Sequence, residues 1–302
     1  MPEAVSLFSG SLSSSIATEI AINYCEMDPV IILTFRSPFF RHYDDIKELA
    51  NRLWPDTQFR SKSIKRETKG IVSSEDLDGR DGYCGGCKVA LLEVGGEFLR
   101  RVNADFLVSG DNGFNFEKDE LAELDRRASV EGKVFRPLCS DFPESMAGKG
   151  VSGDAKYDNP GDRESLRDLA GKLGIEKEID YYGAEDRCKL TDQNYRRRLE
   201  DLASEGGFNI NDLRLLDFDK YYKISPDTKV VLGEGSEEKR ELHNYFLPRD
   251  LRFYLPTCEG PMALVRSEWE EKPDCEVDKI VKLAARITVT KSEIERNVRV
   301  PV

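Results

Sequence analysis

The sequence predicts an α/β protein with a five-stranded, doubly wound parallel sheet and a smaller C-terminal α+β module. Over about the first 140 residues, apolar runs alternate with amphipathic stretches, which is typical of βαβ units. Beyond about residue 180 the pattern changes to a basic helix and short β-like runs. We therefore expect two domains, residues 1–180 and 181–302, in a chain long enough to bury a core without disulfides or metals.

Local patterns place each element in turn. Apolar runs predict strands at residues 4–8, 30–35, 58–63, 104–110 and 134–138. The helical spacing of apolar residues predicts helices at residues 13–24, 43–53, 87–102, 118–128 and 163–173. A Gly-, Ser-, Asp- and Pro-rich stretch predicts a long loop over the mouth of a site at residues 141–162. In the second domain we expect a helix at residues 192–203 and strands at residues 221–224, 229–232 and 263–265.

Charge and composition restrict the partners. The chain has 45 Lys and Arg against 57 Asp and Glu, a net charge of -12, so a nucleic-acid partner needs a local basic patch. Only two histidines occur, which argues against a histidine-rich zinc site or a Ser-His-Asp triad. The sequence contains neither a membrane-spanning apolar run nor a secretory signal pattern, so we expect a cytoplasmic protein without a membrane partner.

A serine-rich turn, the serine loop of residues 9–14, follows the first predicted strand. Its candidate ligand-binding residues are Ser9, Gly10, Ser11, Ser13 and Ser14. Small residues let the backbone approach a phosphate, and a helix start offers free N–H groups and the positive end of the helix dipole. The loop is neither a Walker A sequence nor a dinucleotide fingerprint. An ordinary serine-capped helix start is the alternative interpretation.

The seven cysteines include one CxxC pair, Cys84 and Cys87, on a glycine-bearing turn that we expect to precede a helix. Cys188 also precedes a predicted helix, although nothing in the spacing brings it to the pair. In a reducing compartment such residues are thiols, metal ligands or nucleophiles. Cys25 has the pattern of a core residue. Cys139 ends a predicted parallel strand, where sites of α/β proteins collect.

The serine loop resembles the Ser-Gly-Gly-x-Asp-Ser signature of the PP-loop ATP pyrophosphatases. Ser9, Gly10 and Ser14 match it, whereas Ser11 replaces the second Gly and Ser13 replaces the Asp. The resemblance implies an adenine nucleotide alpha hydrolase-like fold that binds ATP and Mg²⁺ and releases pyrophosphate. The replacement at position 13 removes a carboxylate that would help to hold magnesium and phosphates.

Further segments resemble the short tRNA 2-thiouridylase-like proteins of the same superfamily, in the same order along the chain. The matching segments are residues 83–88, 108–111, 136–140, 187–192 and, more loosely, 259–262. This resemblance implies an ATP-dependent sulfur transferase that adenylates a base carbonyl, in tRNA, and delivers sulfur from its cysteines. Residues 1–180 would then be catalytic and residues 181–302 would contact tRNA.

The resemblance also implies a [4Fe-4S] cluster held by Cys84, Cys87 and Cys188, with one iron open to sulfide. Two alternatives use the same thiols. One is persulfide chemistry, with a carrier and a resolving thiol. The other is a zinc clip completed by one of three further residues, Cys139, Cys258 or His243.

Two functions compete with thiolation. A PP-loop-fold iron–sulfur protein without ATP turnover would act in non-adenylating sulfur transfer or desulfuration, and a zinc-clipped module would only bind a nucleotide. The sequence does not identify the sulfur donor, and it is compatible with a homodimer.

The remaining candidate residues follow predicted strands or lie on the basic helix. Arg36 follows the second strand and would contact nucleotide or RNA. Gly110 and Asp111 lie at the end of the fourth strand, where Asp111 would bind magnesium or substrate. A solvated arginine and a turn-forming aspartate are equally ordinary explanations. A basic cluster on the helix would contact nucleic-acid phosphates, unless it is a solvated face; its members are Arg196, Arg197 and Arg198.

Overall fold

A computed structural model of the protein describes residues 1–25, 27–73, 82–112, 117–139, 162–182, 188–204, 207–255 and 259–291. The chain forms two compact units, Met1–Asp192 and Gln193–Val302, so Cys188 belongs to the first unit. The predicted fold class is confirmed, because the first unit contains a five-stranded parallel sheet and the second a four-stranded antiparallel sheet. The loop predicted at residues 141–162 lies almost wholly outside the described residues.

The first sheet has a point at which its strand order reverses. Its strands are β1 (Ala4–Leu7), β2 (Val30–Arg36), β3 (Gln58–Ser63), β4 (Phe106–Val108) and β5 (Val134–Phe135). All pairs are parallel and the order is β3-β2-β1-β4-β5. The chain moves outward from β1 in one direction and returns to start β4 on the other side of β1. A crevice opens at the carboxyl ends of β1 and β4, where ligands of such sheets bind.

Seven helices are described in the first unit. They are α1 (Leu12–Glu19), α2 (Tyr43–Leu53), α3 (Thr68–Ser73), α4 (Gly82–Val102), α5 (Lys118–Arg127), α6 (Arg163–Lys172) and α7 (Glu176–Tyr181). A π-helical segment, Ile20–Tyr24, continues α1, and 3₁₀ turns cover Pro137–Cys139 and Lys189–Thr191. The short helices α3 and α7 were not predicted.

The start predicted for the third helix, at residue 87, is wrong. Helix α4 begins at Gly82, so Cys84 and Cys87 lie inside its first turns rather than on a turn before it. Two adjacent glycines have low helix propensity, which favoured the prediction of a turn. Packing overrides that preference, since α4 contacts β1, β4, α3 and α5.

The core of the first unit includes α1, α6 and the sheet. Ile16, Ile20 and Phe106 are almost fully buried in it. Cys25 lies in the same cluster, which confirms its predicted place in the core, and burial raises the pKa of its thiol to about 11. This packing fixes α1, and with it the serine loop, against the sheet.

The second unit confirms the predicted α+β module. Its strands are β6 (Lys220–Ser225), β7 (Thr228–Gly233), β8 (Leu251–Phe253) and β9 (Met262–Arg266), in the order β6-β7-β9-β8. Its described helices are α8 (Gln193–Ser204), α9 (Ile210–Leu215), α10 (Gly235–His243) and α11 (Asp274–Thr290). A 3₁₀ turn covers Trp269–Glu271. No helix in the described parts of either unit is long and apolar enough to cross a membrane.

Candidate functional site

The serine loop connects β1 to α1 as a capped helix start. Ser11 is the N-cap, and its Oγ accepts a hydrogen bond from the Ser14 amide at 3.3 Å. Ser9 Oγ donates to Ser11 Oγ at 3.0 Å and to Ser14 Oγ at 3.2 Å. Gly10 has φ of 72°, a conformation that glycine adopts without strain. The loop is therefore preformed, rich in hydroxyl groups and uncharged.

The loop after β4 packs directly against this helix start. A Cβ added to Gly110 would lie 2.6 Å from the Ser14 backbone nitrogen and 2.7 Å from the Ser13 carbonyl carbon. Only a glycine permits this approach without a shift of the backbone. The close contact places Ser109 and Asp111 beside the serine loop.

A cavity of about 430 Å³ lies at the carboxyl ends of β1, β2 and β4. All its lining residues belong to the first unit, and its volume is typical of small-ligand sites. One part of the wall is formed by the hydroxyl groups of the serine loop, and another by Phe35, Phe40 and Ile46. Lys88, Asp111 and Cys188 complete the polar part. The cavity thus combines a hydroxyl-rich wall, an apolar wall and a thiol.

Lys88 and Asp111 of the cavity lining belong to a largely buried charge network. Lys88 Nζ lies 2.6 Å from Asp111 Oδ1 and donates to Ser109 Oγ at 2.9 Å. Arg136 Nε donates to Asp111 Oδ2 at 3.0 Å, and its two Nη atoms donate to Asp125 at 2.7 and 2.6 Å. Burial would raise the pKa of Asp111, but the charges of Lys88 and Arg136 hold it below its usual value. Asp111 is therefore ionised and fully paired.

The network changes the interpretation of Asp111 and adds two residues. The sequence suggested that Asp111 would bind magnesium or substrate, yet its carboxylate oxygens are engaged by protein groups. Lys88 and Arg136 received no separate role from the sequence. The signal for Lys88 was its place directly after Cys87, and the signal for Arg136 was its place after a strand that ends at this edge of the sheet.

The three predicted thiols come together in the first unit. Cys84 and Cys87 are one helical turn apart in α4, and Cys188 forms an isolated antiparallel bridge with Phe40. Burial raises the pKa of Cys87, and its neighbours Cys188 and Cys84 raise it further. Burial, together with Cys84, raises the pKa of Cys188 to about 11. The three thiols are within electrostatic reach of one another, and the raised pKa values of Cys87 and Cys188 favour their protonated forms near neutral pH.

Metal binding by these thiols has limited geometric support. Among the described residues, no three His, Cys, Asp or Glu side chains are placed to hold one metal ion. Of the residues suggested to complete a zinc clip, Cys139 donates from Sγ to the Asp111 carbonyl oxygen at 3.3 Å. His243 ends α10 in the second unit, and Cys258 lies outside the described residues.

None of the predicted arginine sites is among the residues that line the cavity. Arg36 is exposed, and its guanidinium lies 4.2 Å from the centre of the Tyr43 ring. In the second unit, Arg198 donates three hydrogen bonds to backbone carbonyls, of Leu216, Phe218 and Asp219. Arg198 therefore has a structural role. Of its two neighbours in the basic cluster, Arg196 is half-buried and Arg197 is exposed.

The fold and the cavity define a class of protein: a doubly wound α/β protein with a hydroxyl-lined, cation-containing cavity at the switch point of its sheet. No protein-family model and no curated protein sequence matches the chain.

Three solved structures are similar to the chain at a low level. NMN synthetase from Francisella tularensis is 15% identical over 60% of this chain and 83% of its own, with a TM-score of 0.31. A predicted subunit of tRNA methyltransferase from Methanocaldococcus jannaschii is 13% identical over 59% of this chain and 92% of its own, with a TM-score of 0.35. A 4-thiouridine synthetase in complex with RNA and ATP is 16% identical over 71% of this chain and 52% of its own, with a TM-score of 0.39. These values establish neither an activity nor a substrate for this chain.

Proposed function

We propose that the protein is an ATP-dependent sulfur transferase that thiolates a nucleobase in tRNA. The single observation that carries the proposal is the cavity, which has the serine loop on one wall and Cys188 on another. A phosphate-binding helix start and a nucleophilic sulfur are the two components that such a reaction requires at one place. The sequence resemblance to PP-loop thiolation proteins supports the same assignment.

The cavity suggests how ATP is oriented. The backbone amides and hydroxyls at the start of α1 bind its phosphates. The adenine ring packs against the apolar wall of Phe35, Phe40 and Ile46, after the end of β2. Cys188 and Thr191 line the cavity as well, which leaves the sulfur near the activated base.

The chemistry has two steps. The carbonyl oxygen of the base attacks the α-phosphorus of ATP, and pyrophosphate leaves. A sulfur nucleophile then attacks the activated ring carbon, and AMP leaves with the former carbonyl oxygen. A carbonyl requires this activation because oxide alone is a poor leaving group.

Two sources of the sulfur nucleophile remain within the proposal. Bound by Cys84, Cys87 and Cys188, a [4Fe-4S] cluster would supply an open iron position for sulfide. What supports this route is the chemistry of the donors, since thiolates are the usual cluster ligands and the three thiols are partly or fully buried and within electrostatic reach of one another. In the other route one thiol carries a persulfide and a second resolves the resulting disulfide, so an external reductant restores both.

The proposed tRNA partner is compatible with the distribution of charge. Residues 193–302 have nearly equal numbers of basic and acidic side chains, so most of the net charge of -12 belongs to residues 1–192. An RNA backbone therefore meets less repulsion at the second unit. Arg197, which is exposed, is the member of the basic cluster best suited to contact it.

The test measures AMP and pyrophosphate release and thionucleoside formation with unmodified tRNA, ATP, a thiol reductant and either sulfide or a persulfide as sulfur donor, using anaerobically purified protein. We expect all three products, and we expect Cys188→Ala to abolish the thionucleoside. Cys275→Ala is the matched control, because Cys275 is exposed in the second unit. Release of neither AMP nor pyrophosphate in the presence of tRNA contradicts the proposal. Iron and sulfide analysis of the same preparation separates the cluster route from the persulfide route.

A second candidate function is sulfur transfer or desulfuration without ATP turnover. It is favoured by Ser13, which replaces the carboxylate of the PP-loop signature, and by the full pairing of Asp111. A thiol-dependent change in the sulfur content of tRNA without AMP release would identify it.

A further inference from the structure

In the part of the chain that the structure describes, the cavity lining offers no free carboxylate to a metal ion. Among the described residues that line it, Asp111 is the only one with a carboxylate. Its Oδ1 is paired with Lys88 at 2.6 Å, and its Oδ2 accepts hydrogen bonds from Ser109 at 2.9 Å and Arg136 at 3.0 Å. Magnesium sites in proteins use one or two carboxylates together with phosphate oxygens. The residues that form this cavity therefore do not fit a protein-held Mg²⁺.

The cavity lining contains a cation of the protein, Lys88. The side chain of Lys88 is 17% exposed. Its ammonium group has three N–H donors, and Asp111 and Ser109 take two of them. Asp111 is also shared with Arg136, which pairs with Asp125 as well, so two cations and two aspartates form the network. Lys88 thus keeps one N–H donor for an anion in the cavity.

The serine loop is consistent with an anion that arrives without a metal. Position 13 is a serine, and its hydroxyl lies 3.4 Å from Ser11 Oγ in the uncharged network. A carboxylate at this position would repel a phosphate unless a divalent cation lay between them. With Ser13 that repulsion is absent.

We propose that Lys88 binds the phosphates of the nucleotide directly and takes the place of a protein-held Mg²⁺. The inference rests on the proposed function, because it takes the cavity as the nucleotide site. It adds that the Lys88 ammonium group supplies the positive charge for phosphate binding. The inference also links Lys88 to the proposed sulfur site. Cys87 directly precedes Lys88, so one turn of α4 would carry both a proposed cluster ligand and the ammonium group that binds phosphate.

The experiment measures the binding of ATP and of inorganic pyrophosphate by titration calorimetry, once with EDTA and once with Mg²⁺. We expect wild-type protein to bind both ligands with EDTA and to change little on addition of Mg²⁺. Lys88→Ala should weaken binding about tenfold or more with EDTA, the size of losing one hydrogen bond to a charged group. Lys62→Ala is the matched control, because Lys62 lies over the Phe98 ring and outside the cavity lining.

A second variant tests the same inference from the serine loop, so that the result does not depend on Lys88→Ala alone. Ser13→Asp restores the carboxylate of the signature, so we expect it to weaken binding with EDTA about tenfold and to recover on addition of Mg²⁺. Thermal unfolding of each variant shows whether it is folded. Binding by wild-type protein only in the presence of Mg²⁺, or unchanged binding by Lys88→Ala, overturns the inference while the proposed function stands. No binding under either condition contradicts the nucleotide site itself, and the inference with it.

Discussion

The two units each contain a cavity beside an arginine that bridges two aspartates, yet the two cavities differ in charge. In the first unit Arg136 joins Asp111 and Asp125 next to the 430 Å³ cavity. In the second unit Arg266 joins Asp212 and Asp250, at 2.6 Å each, and all three line a cavity of about 770 Å³.

The difference lies in the side chains that line each cavity. Lys88 joins the network of the first unit, so two positive groups there balance two aspartates. The cavity of the second unit is lined by three cations, Arg266, Lys229 and Arg249, and by four carboxylates, Asp212, Asp227, Asp250 and Glu268, so acidic side chains are in excess. The smaller cavity has the serine loop at a helix start beside a lysine, which is the combination that the proposed phosphate site uses.

The largest expected effect concerns the two bridging arginines. Arg136→Met keeps most of the side-chain volume but leaves buried aspartates without their partner, so we expect a loss of about 3–5 kcal/mol of unfolding free energy in the first unit. Arg266→Met should cost somewhat less, because the side chain of Arg266 is 13% exposed against 8% for Arg136 and its partner Asp212 is 15% exposed, even though its second partner, Asp250, is 3% exposed.

Each unit contains one tryptophan, so tryptophan fluorescence can follow the unfolding of each unit separately. Trp54 belongs to the first unit and Trp269 to the second. Urea unfolding followed by fluorescence, in Trp54→Phe and Trp269→Phe backgrounds, reports one unit at a time. Equal losses for the two arginine variants would contradict the view that the network of the first unit is the more deeply buried.

The next effect compares two glycines at close backbone contacts. Gly110→Ala places a Cβ 2.6 Å from the Ser14 nitrogen, and Gly233→Ala places one 2.9 Å from the Glu238 carbonyl oxygen. Each should lose about 1–3 kcal/mol of stability, the usual cost of overpacking. Only Gly110→Ala should also weaken ATP binding, since it moves the serine loop. Calorimetric titration of both variants checks this, and equal ATP affinity in both would remove Gly110 from the site.

A smaller effect separates structure from binding within the basic cluster. Arg198→Ala removes three hydrogen bonds to carbonyls and should destabilise the second unit by about 1–3 kcal/mol. Arg197→Ala should leave stability unchanged within about 0.5 kcal/mol and weaken tRNA binding, because exposed side chains contribute little to folding. Urea unfolding and filter binding of tRNA distinguish the two. A loss of stability in Arg197→Ala would show that it also has a structural role.

These comparisons show which features are encoded locally. The helix predicted at residues 43–53 has the bounds of α2, because Ile46, Leu49 and Ala50 form a clear apolar face. The serine loop was found because its chemistry lies in six consecutive residues. The start of α4 was missed because Gly85 and Gly86 favour a turn locally, whereas tertiary packing selects the helix.

The charge network shows the opposite case. Asp111 was singled out from its place after a strand. Its two cationic partners, Lys88 in α4 and Arg136 after β5, are both far from it in the sequence. No local pattern encodes that meeting. Lys88 directly follows Cys87 in the sequence, but only the fold shows that its ammonium group reaches the cavity. Residues that act through long-range pairing therefore need the structure.

The smallest expected effect is the dependence of stability on pH in the first unit. The pKa of Asp111 is lower in the folded protein than in the unfolded chain, because Lys88 and Arg136 stabilise its charge despite burial. The stability that it contributes is thus fully present above the ordinary Asp pKa of about 3.9 and is lost as pH falls towards the lower folded value. Asp111→Asn removes this titration, so its unfolding free energy should fall less steeply below about pH 4 than that of wild type. Urea unfolding of the first unit between pH 3 and 6 (about the range in which Asp titrates) measures the slopes, and parallel curves for the two proteins would show that the ion pairs with Lys88 and Arg136 contribute no net stability.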